Sequence, residues 1–269
     1  MEKLINGNRE LQNVIDEISE IAGYLWDRGW AEKNAGNISV NITSLINDSL
    51  PDISSSPMLD LAEPSPYIGG MFFLISAAGS LMRNLNKRPL DNMVVIRVAN
   101  NGAAYQILSV NNDSVPLVPS SELPTHFAVH QLLKIRNSTK KAVIHSHVDE
   151  LIALTQIQQY KNEEEINRIL WGMHPESMIV IPQGVGFVPY KLTGSVDLAQ
   201  ATLEKMAGHD IVLWEKHGVL SSGESVSQAF DYIDIAAKSV RIFFMCKASG
   251  FEPEGLTDKQ IEELKGMIS

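Results

Sequence analysis

The run Val143–Ile144–His145–Ser146–His147 constrains this chain more than any other stretch. An apolar segment closing on two histidines one residue apart reads as an extended strand. Successive side chains of a strand alternate faces, so His145 and His147 project to the same side, roughly 7 Å apart at Cβ. Two imidazoles at that spacing can chelate one divalent cation. Lys216–His217–Gly218, after the apolar run Ile211–Trp214, offers a third imidazole, and Glu122 within Pro119–Pro124 offers a carboxylate.

Three neutral imidazoles with an open position favour Zn²⁺, an ion that polarises a carbonyl or activates water. His126 and His130 follow Glu122 one helical turn apart and form a competing pair that spacing alone does not exclude. Strand ends hold ligands more rigidly than a helix face, which favours His145, His147 and His217. The single cysteine, Cys246, leaves no thiolate pair for a structural zinc and reads as a buried, inert thiol in a reducing compartment. Glu122 has two readings: an exposed carboxylate complementing a helix start, or a ligand or general base beside the metal.

Around this centre the chain alternates helices and strands irregularly. Leu11, Val14, Ile15, Ile18, Ile21, Ala22 and Leu25 recur at three- and four-residue steps, predicting a helix from Glu10 to Trp30. Ile38–Thr43 alternates like a half-buried strand, and Met71–Ile75 is another. Met93–Ala99 and Ala103–Leu108 flank Asn100–Asn101–Gly102, a hairpin signal because Asn-Gly tolerates positive φ. Further helices are predicted from Leu123 to Arg136, Asp149 to Gln159, Glu163 to Trp171, Ser195 to Ala207 and Ser225 to Ser249. Strands are predicted at Ser177–Ile181, Ile211–Trp214 and Val219–Ser221. Thr257 and Gln260 form a capping box for a last helix. Residues 47–66, rich in Ser, Pro and Asp, read as a surface loop or a short helix with long flanks. Two antiparallel hairpins argue for one α/β domain spanning 1–269, with a mainly antiparallel or mixed sheet between helices.

Charge narrows the partners. A formal charge of −10 and a pI near 5.2 argue against nucleic acid, whose binding runs on phosphate neutralisation. There is no apolar signal region and no stretch of the ~20 apolar residues that span a bilayer, so a cytoplasmic protein with no membrane partner is expected. An anionic ligand would have to be held by local dipoles. Three segments of small, amide- and hydroxyl-bearing residues lie at element junctions where they could hold one. These are Asn34–Ala35–Gly36–Asn37, Ser76–Ala77–Ala78–Gly79 and Ser120–Ser121.

Taken in order, Asn34-x-Gly36–Asn37, Ser120–His126, His145–Ser–His147 and Trp214-x-x-His217–Gly218 resemble the class II sugar-phosphate aldolases of the aldolase/adducin family, and the likeness extends over most of the chain. The resemblance implies a single three-layer αβα domain with a central, mainly antiparallel sheet, assembled as a homotetramer with active sites near subunit interfaces. It implies one zinc per subunit on His145, His147 and His217, and Glu122 as acid/base. A second glutamate, Glu176, would act near the aldehyde end, and Asn34, Gly36, Asn37, Gly79, Ser120 and Ser121 would form the phosphate pocket. The implied reaction is cleavage of L-rhamnulose 1-phosphate to dihydroxyacetone phosphate and L-lactaldehyde. L-fuculose-phosphate cleavage and pentulose-phosphate 4-epimerisation use a similar site, and adducin-like modules use the fold without chemistry. Where the family pattern carries Thr-Gly-Ser-Gly, this chain has Ser76–Ala77–Ala78–Gly79, so Ala78 removes a hydroxyl. A Schiff-base lysine is the rival electron sink, but Lys134, Lys140 and Lys141 read as solvated.

Overall fold

The computed structural model describes residues 7–46, 56–108 and 117–268. In chain order its elements are α1 (Arg9–Asp27), β1 (Asn37–Asn41), β2 (Leu59–Asp60), β3 (Phe72–Ser76), α2 (Met82–Lys87), β4 (Met93–Val98), β5 (Ala104–Ile107), α3 (Leu123–Ile135), β6 (Ala142–Ser146), α4 (Asp149–Leu154), α5 (Glu163–Met173), α6 (Pro175–Val180), β7 (Gly186–Val188), α7 (Val196–Met206), β8 (Ile211–Trp214), β9 (Gly218–Gly223), α8 (Val226–Ala248) and α9 (Asp258–Ile268).

The strands form one sheet in the order β2-β5-β4-β3-β1-β6-β9-β8-β7. β7 runs parallel to β8, and the other neighbours are antiparallel. Alternation along the central strands decides the layering. Leu74 and Ile144 face one side, packed with Leu11, Ile15, Ile18 and Leu25 of α1 and with Ile233 and Val240 of α8. Phe73 and Ile75 turn to the opposite side under Leu123 and Phe127 of α3, and Val143 faces that side against Val129 and Leu198. Both faces of the sheet are therefore covered, giving the expected three layers. Each fully buried Leu or Ile of α1 contributes ~1.5–3 kcal/mol to that packing.

Local signals set most boundaries. Asn8, Ser195 and Ser225 cap α1, α7 and α8 through side-chain oxygens. Thr257 and Gln260 bond reciprocally before α9, as a capping box requires. Four expectations need correction. Ser177–Ile181 is not a strand: Pro175 opens a helix, the Ser177 hydroxyl donates to the His174 carbonyl, and α6 buries Met178 while exposing Ile179. The β-branched run loses to packing against α5 and α9. The helix from Asp149 stops at Leu154, because the Thr155 hydroxyl donates back to the Ile152 carbonyl. The reading of 47–66 falls partly outside the described residues, and within it Leu59–Asp60 pairs with β5 at the sheet edge. Cys246 is half-buried rather than buried. Among the described residues no helix is long and apolar enough to cross a membrane.

Candidate metal centre

His145 lies in the central strand β6, opposite Asn37 of β1 and Leu220 of β9. His147 follows one residue past the strand, where its backbone N–H and the Ser146 hydroxyl both donate to the Trp30 carbonyl, at 3.0 and 2.8 Å. The chain end of β6 is thus tied to Trp30, three residues past the end of α1. His217 sits in the turn between β8 and β9, after Lys216 at φ +60°. That turn is held from two sides. The Lys216 N–H donates to Thr155 Oγ1 at 2.8 Å, and Glu215 accepts from the Tyr190 N–H at 3.0 Å while pairing with Lys161. Gly218 allows the turn to close on β6, since a Cβ there would fall on the Ser146 carbonyl oxygen.

The three imidazoles form a triangle, with ring centroids 4.8–5.2 Å apart and one candidate ligand atom from each within 4.8 Å of the others. Their tautomers suit a cation. His145 Nδ1–H donates to the Val219 carbonyl at 3.0 Å and His147 Nδ1–H to Glu32 at 2.9 Å, which leaves both Nε2 lone pairs free. Trp214 packs against the rings of His145 and His217. Burial, followed by the neighbouring imidazoles, pushes His145 well below the ordinary histidine range, and the same causes lower His217 to about 4. Both stay neutral, as ligation needs. Buried polar atoms without partners also cluster here: His217 Nδ1 and Glu122 Oε2. A set of imidazole donors with unmet polar capacity fits a divalent ion, and N-only ligation favours zinc among the common ones.

Glu122 is 7% exposed, with Oε1 3.9 Å from His217 Nε2. Burial raises its carboxyl to about 7. The exposed, dipole-complementing reading is thereby excluded on geometry. A cavity of ≈ 400 Å³ opens beside the triangle and is lined by all three small-residue segments. An antiparallel bridge joins Ala77 to Pro119, the Ser120 N–H donates to the Ser76 carbonyl, and Ser76 Oγ accepts from the Ile38 N–H. These contacts bring Asn34, Gly36, Asn37, Gly79, Ser120 and Ser121 to one wall. Gly36, at φ +80°, lets its loop pass the His145 carbonyl.

Glu176 is placed elsewhere: it is an exposed residue at the start of α6, 3.3 Å from His174, and does not line this cavity. Lys134, Lys140 and Lys141 do not line it either, and Lys140 pairs with Asp210. The competing pair is occupied, because His126 and His130 both bond the Ser39 hydroxyl. Glu32, Lys33 and Thr193 line the cavity without having been singled out from the sequence. Glu32 and Lys33 adjoin the Asn34 segment, so proximity was a usable signal; Thr193 carried none.

Comparison with known proteins places the chain among relatives. The rhamnulose-1-phosphate aldolase of Bacteroides thetaiotaomicron is 38% identical over 265 residues, covering 98% of this chain and 97% of that protein. The Yersinia pestis protein of the same name is 32% identical over 93% of this chain and 90% of its own length. A solved sugar-phosphate aldolase from Thermotoga maritima superposes with a TM-score of 0.76 at 33% identity, covering 91% of this chain and all of that one. Residues 16–244 match the family described as Class II Aldolase and Adducin N-terminal domain, and the chain belongs to that family.

Proposed function

We propose that this protein catalyses reversible aldol cleavage of L-rhamnulose 1-phosphate to dihydroxyacetone phosphate and L-lactaldehyde, with one zinc ion per subunit on His145, His147 and His217. The observation that carries the reading is a three-imidazole cluster sharing one cavity with a buried carboxyl that has an unpartnered oxygen. The choice of sugar is supported by the near full-length similarity to the two rhamnulose-1-phosphate aldolases.

Bound there, zinc supplies a Lewis acid that offsets negative charge on the ketose oxygens. Glu122 handles the proton. Cleavage breaks the bond between C3 and C4, leaves its electron pair on C3, and releases the C4 hydroxyl proton to water in the open cavity as that carbon becomes the aldehyde. A protonated Glu122 donates to C3, and in the synthesis direction its carboxylate removes that proton. In the metal-free protein burial raises this carboxyl to about 7, which favours the protonated form that cleavage calls on. Asn34, Asn37, Gly79, Ser120 and Ser121 hold the phosphate through amide and hydroxyl donors, and Gly36 shapes the loop. This suits a chain with a net charge of −10. Ala78 brings no hydroxyl, so backbone donors carry more of the binding. Glu176 takes part at the aldehyde end only if a second copy brings it in, which fits a cytoplasmic homotetramer with sites near subunit interfaces.

The decisive experiment measures zinc content beside cleavage of L-rhamnulose 1-phosphate, before and after chelation, with L-fuculose 1-phosphate and a pentulose 5-phosphate as comparators. Activity that leaves with the metal and returns with added Zn²⁺ is expected. Bound zinc with turnover of a comparator alone would refute the choice of sugar, and a protein that binds no metal would refute the centre.

A further inference from the structure

Behind the cavity wall lies a line of buried polar groups that the proposed chemistry does not use. Asn37 and Ser39 stand two residues apart on β1, so their side chains share one face of the sheet. His126 and His130 stand four apart on α3 and face them across the interface. Ser39 Oγ lies 2.6 Å from His126 Nδ1 and 2.8 Å from His130 Nε2, and His126 Nε2 bonds Asn37 Oδ1. All four residues are at most 6% exposed.

We propose that His130, Ser39 and His126 form a buried hydrogen-bond relay that locks the Asn37 amide with its NH₂ turned into the cavity as a fixed donor to the substrate's phosphate. The inference rests on the aldolase reading for the identity of that ligand.

Donor and acceptor bookkeeping sets the direction of the relay. Asn37 presents its carbonyl oxygen to His126, so His126 Nε2 must carry the proton and Nδ1 must accept. Nδ1 takes the Ser39 hydroxyl proton, and the Ser39 oxygen then accepts from His130 Nε2–H. Every group in the line is satisfied once, with both imidazoles neutral. Burial holds both histidines far below their ordinary range, to about 3, so the pattern persists across the working pH. Phe73 packs on the His130 ring, centroids 4.7 Å apart, and fixes the far end. At the near end, the Asn37 NH₂ has no partner among the described residues, and Asn37 lines the cavity. A flipped amide would aim a carbonyl oxygen at the phosphate, and it could pair with His126 only if every proton in the line reversed. His126, Ser39 and His130 are therefore positioning residues. They touch no substrate, and they also cannot serve as a second metal pair.

Two readouts test the proposal in the zinc-loaded enzyme. The first is the ¹⁵N spectrum of histidine-labelled protein, with the His126 signals assigned by their loss in His126→Phe. His126 should be the Nε2–H tautomer between about pH 6 and 8. The second is kinetic. His126→Phe should raise KM for the ketose phosphate and Ki for inorganic phosphate together, by about 10-fold or more. Turnover should stay within a few-fold and zinc stoichiometry should be unchanged. Ser39→Ala should act in the same direction more weakly, and His126→Gln, which keeps one donor and one acceptor, should recover much of the loss. An Nδ1–H tautomer in a fully active enzyme overturns the relay and leaves the aldolase reading intact. So does a loss confined to kcat or to zinc content in Ser39→Ala and His126→Gln. A parent protein that binds inorganic phosphate, shows the Nε2–H tautomer and cleaves no ketose phosphate refutes the aldolase reading instead and supports the relay.

Discussion

Replacing Glu122 with glutamine removes a titrating group beside the imidazole triangle while nearly preserving its volume. In the metal-free protein the Glu122 carboxyl is raised from 4.5 to about 7 by burial. A difference of that size between folded and unfolded states corresponds to about 3 kcal/mol. The sign follows from proton counting. Between 4.5 and 7 the folded state keeps the proton and the unfolded state has lost it, so the parent loses stability as pH rises through that window. Below 4.5 both states are protonated and the penalty is absent. The stability of Glu122→Gln relative to the parent should therefore climb by about 3 kcal/mol from pH 4.5 to 7 and then level off. A chain of this size turns each kcal/mol into about 2–4 °C of melting temperature. The lowered pKa of His217 makes both proteins gain stability as pH rises from about 4 to 6.5, a trend of opposite sign that the difference curve largely removes. Any constant cost of burying the amide offsets the curve without changing its slope. The assay is thermal or urea unfolding of both proteins, with a chelator present and at matched concentration. A difference curve flat from pH 4.5 to 8 would refute the claim that this carboxyl is desolvated. In the zinc-loaded enzyme the same variant should retain metal and lose about 10²–10⁴-fold in turnover, and near-normal turnover would remove Glu122 from the proton-transfer role.

Glu32→Ala deprives His147 Nδ1 of its acceptor, and zinc affinity measured by chelator competition should fall about 10–100-fold; an unchanged affinity would show that Glu32 does not orient the ring. Gly218→Ala places a methyl group on the Ser146 carbonyl oxygen in the central strand, which should cost about 1–3 kcal/mol in urea unfolding and weaken zinc binding with it. A parent-like midpoint in that variant would contradict the close approach. Thr155→Val removes the acceptor of the Lys216 N–H and should destabilise the protein by about 1–3 kcal/mol, provided the turn cannot find another acceptor; hydrogen exchange at Lys216 unchanged from the parent would argue against the tether.

Local chemistry made much of the fold readable in advance. The three- and four-residue spacing of α1, the Asn100–Asn101–Gly102 turn between β4 and β5, the capping box before α9 and the serine caps of α7 and α8 all act over a few residues. Elements that depend on distant partners were read wrongly or passed over. α6 carries a β-branched run that its neighbours hold as helix. β7 is a three-residue strand, and its parallel pairing with β8 supplies the partner that its own sequence does not announce.

The same division runs through the site. Residue type and alternation alone pointed His145 and His147 to one side at the end of one strand, supplied a third imidazole at the end of another apolar run, and set out three junctions rich in free donors. Spacing could not rank His126 and His130 below them, because four residues on a helix bring two rings as close as two residues on a strand. Tertiary structure decided it by supplying Ser39, 87 residues before His126, to engage that pair. It also folded the β8–β9 turn over β6, so that His217 met the strand pair. Glu122 shows the limit most plainly. Its local sequence is equally consistent with a solvated helix start and a buried acid, and its character follows from desolvation by elements that meet only when the chain is folded.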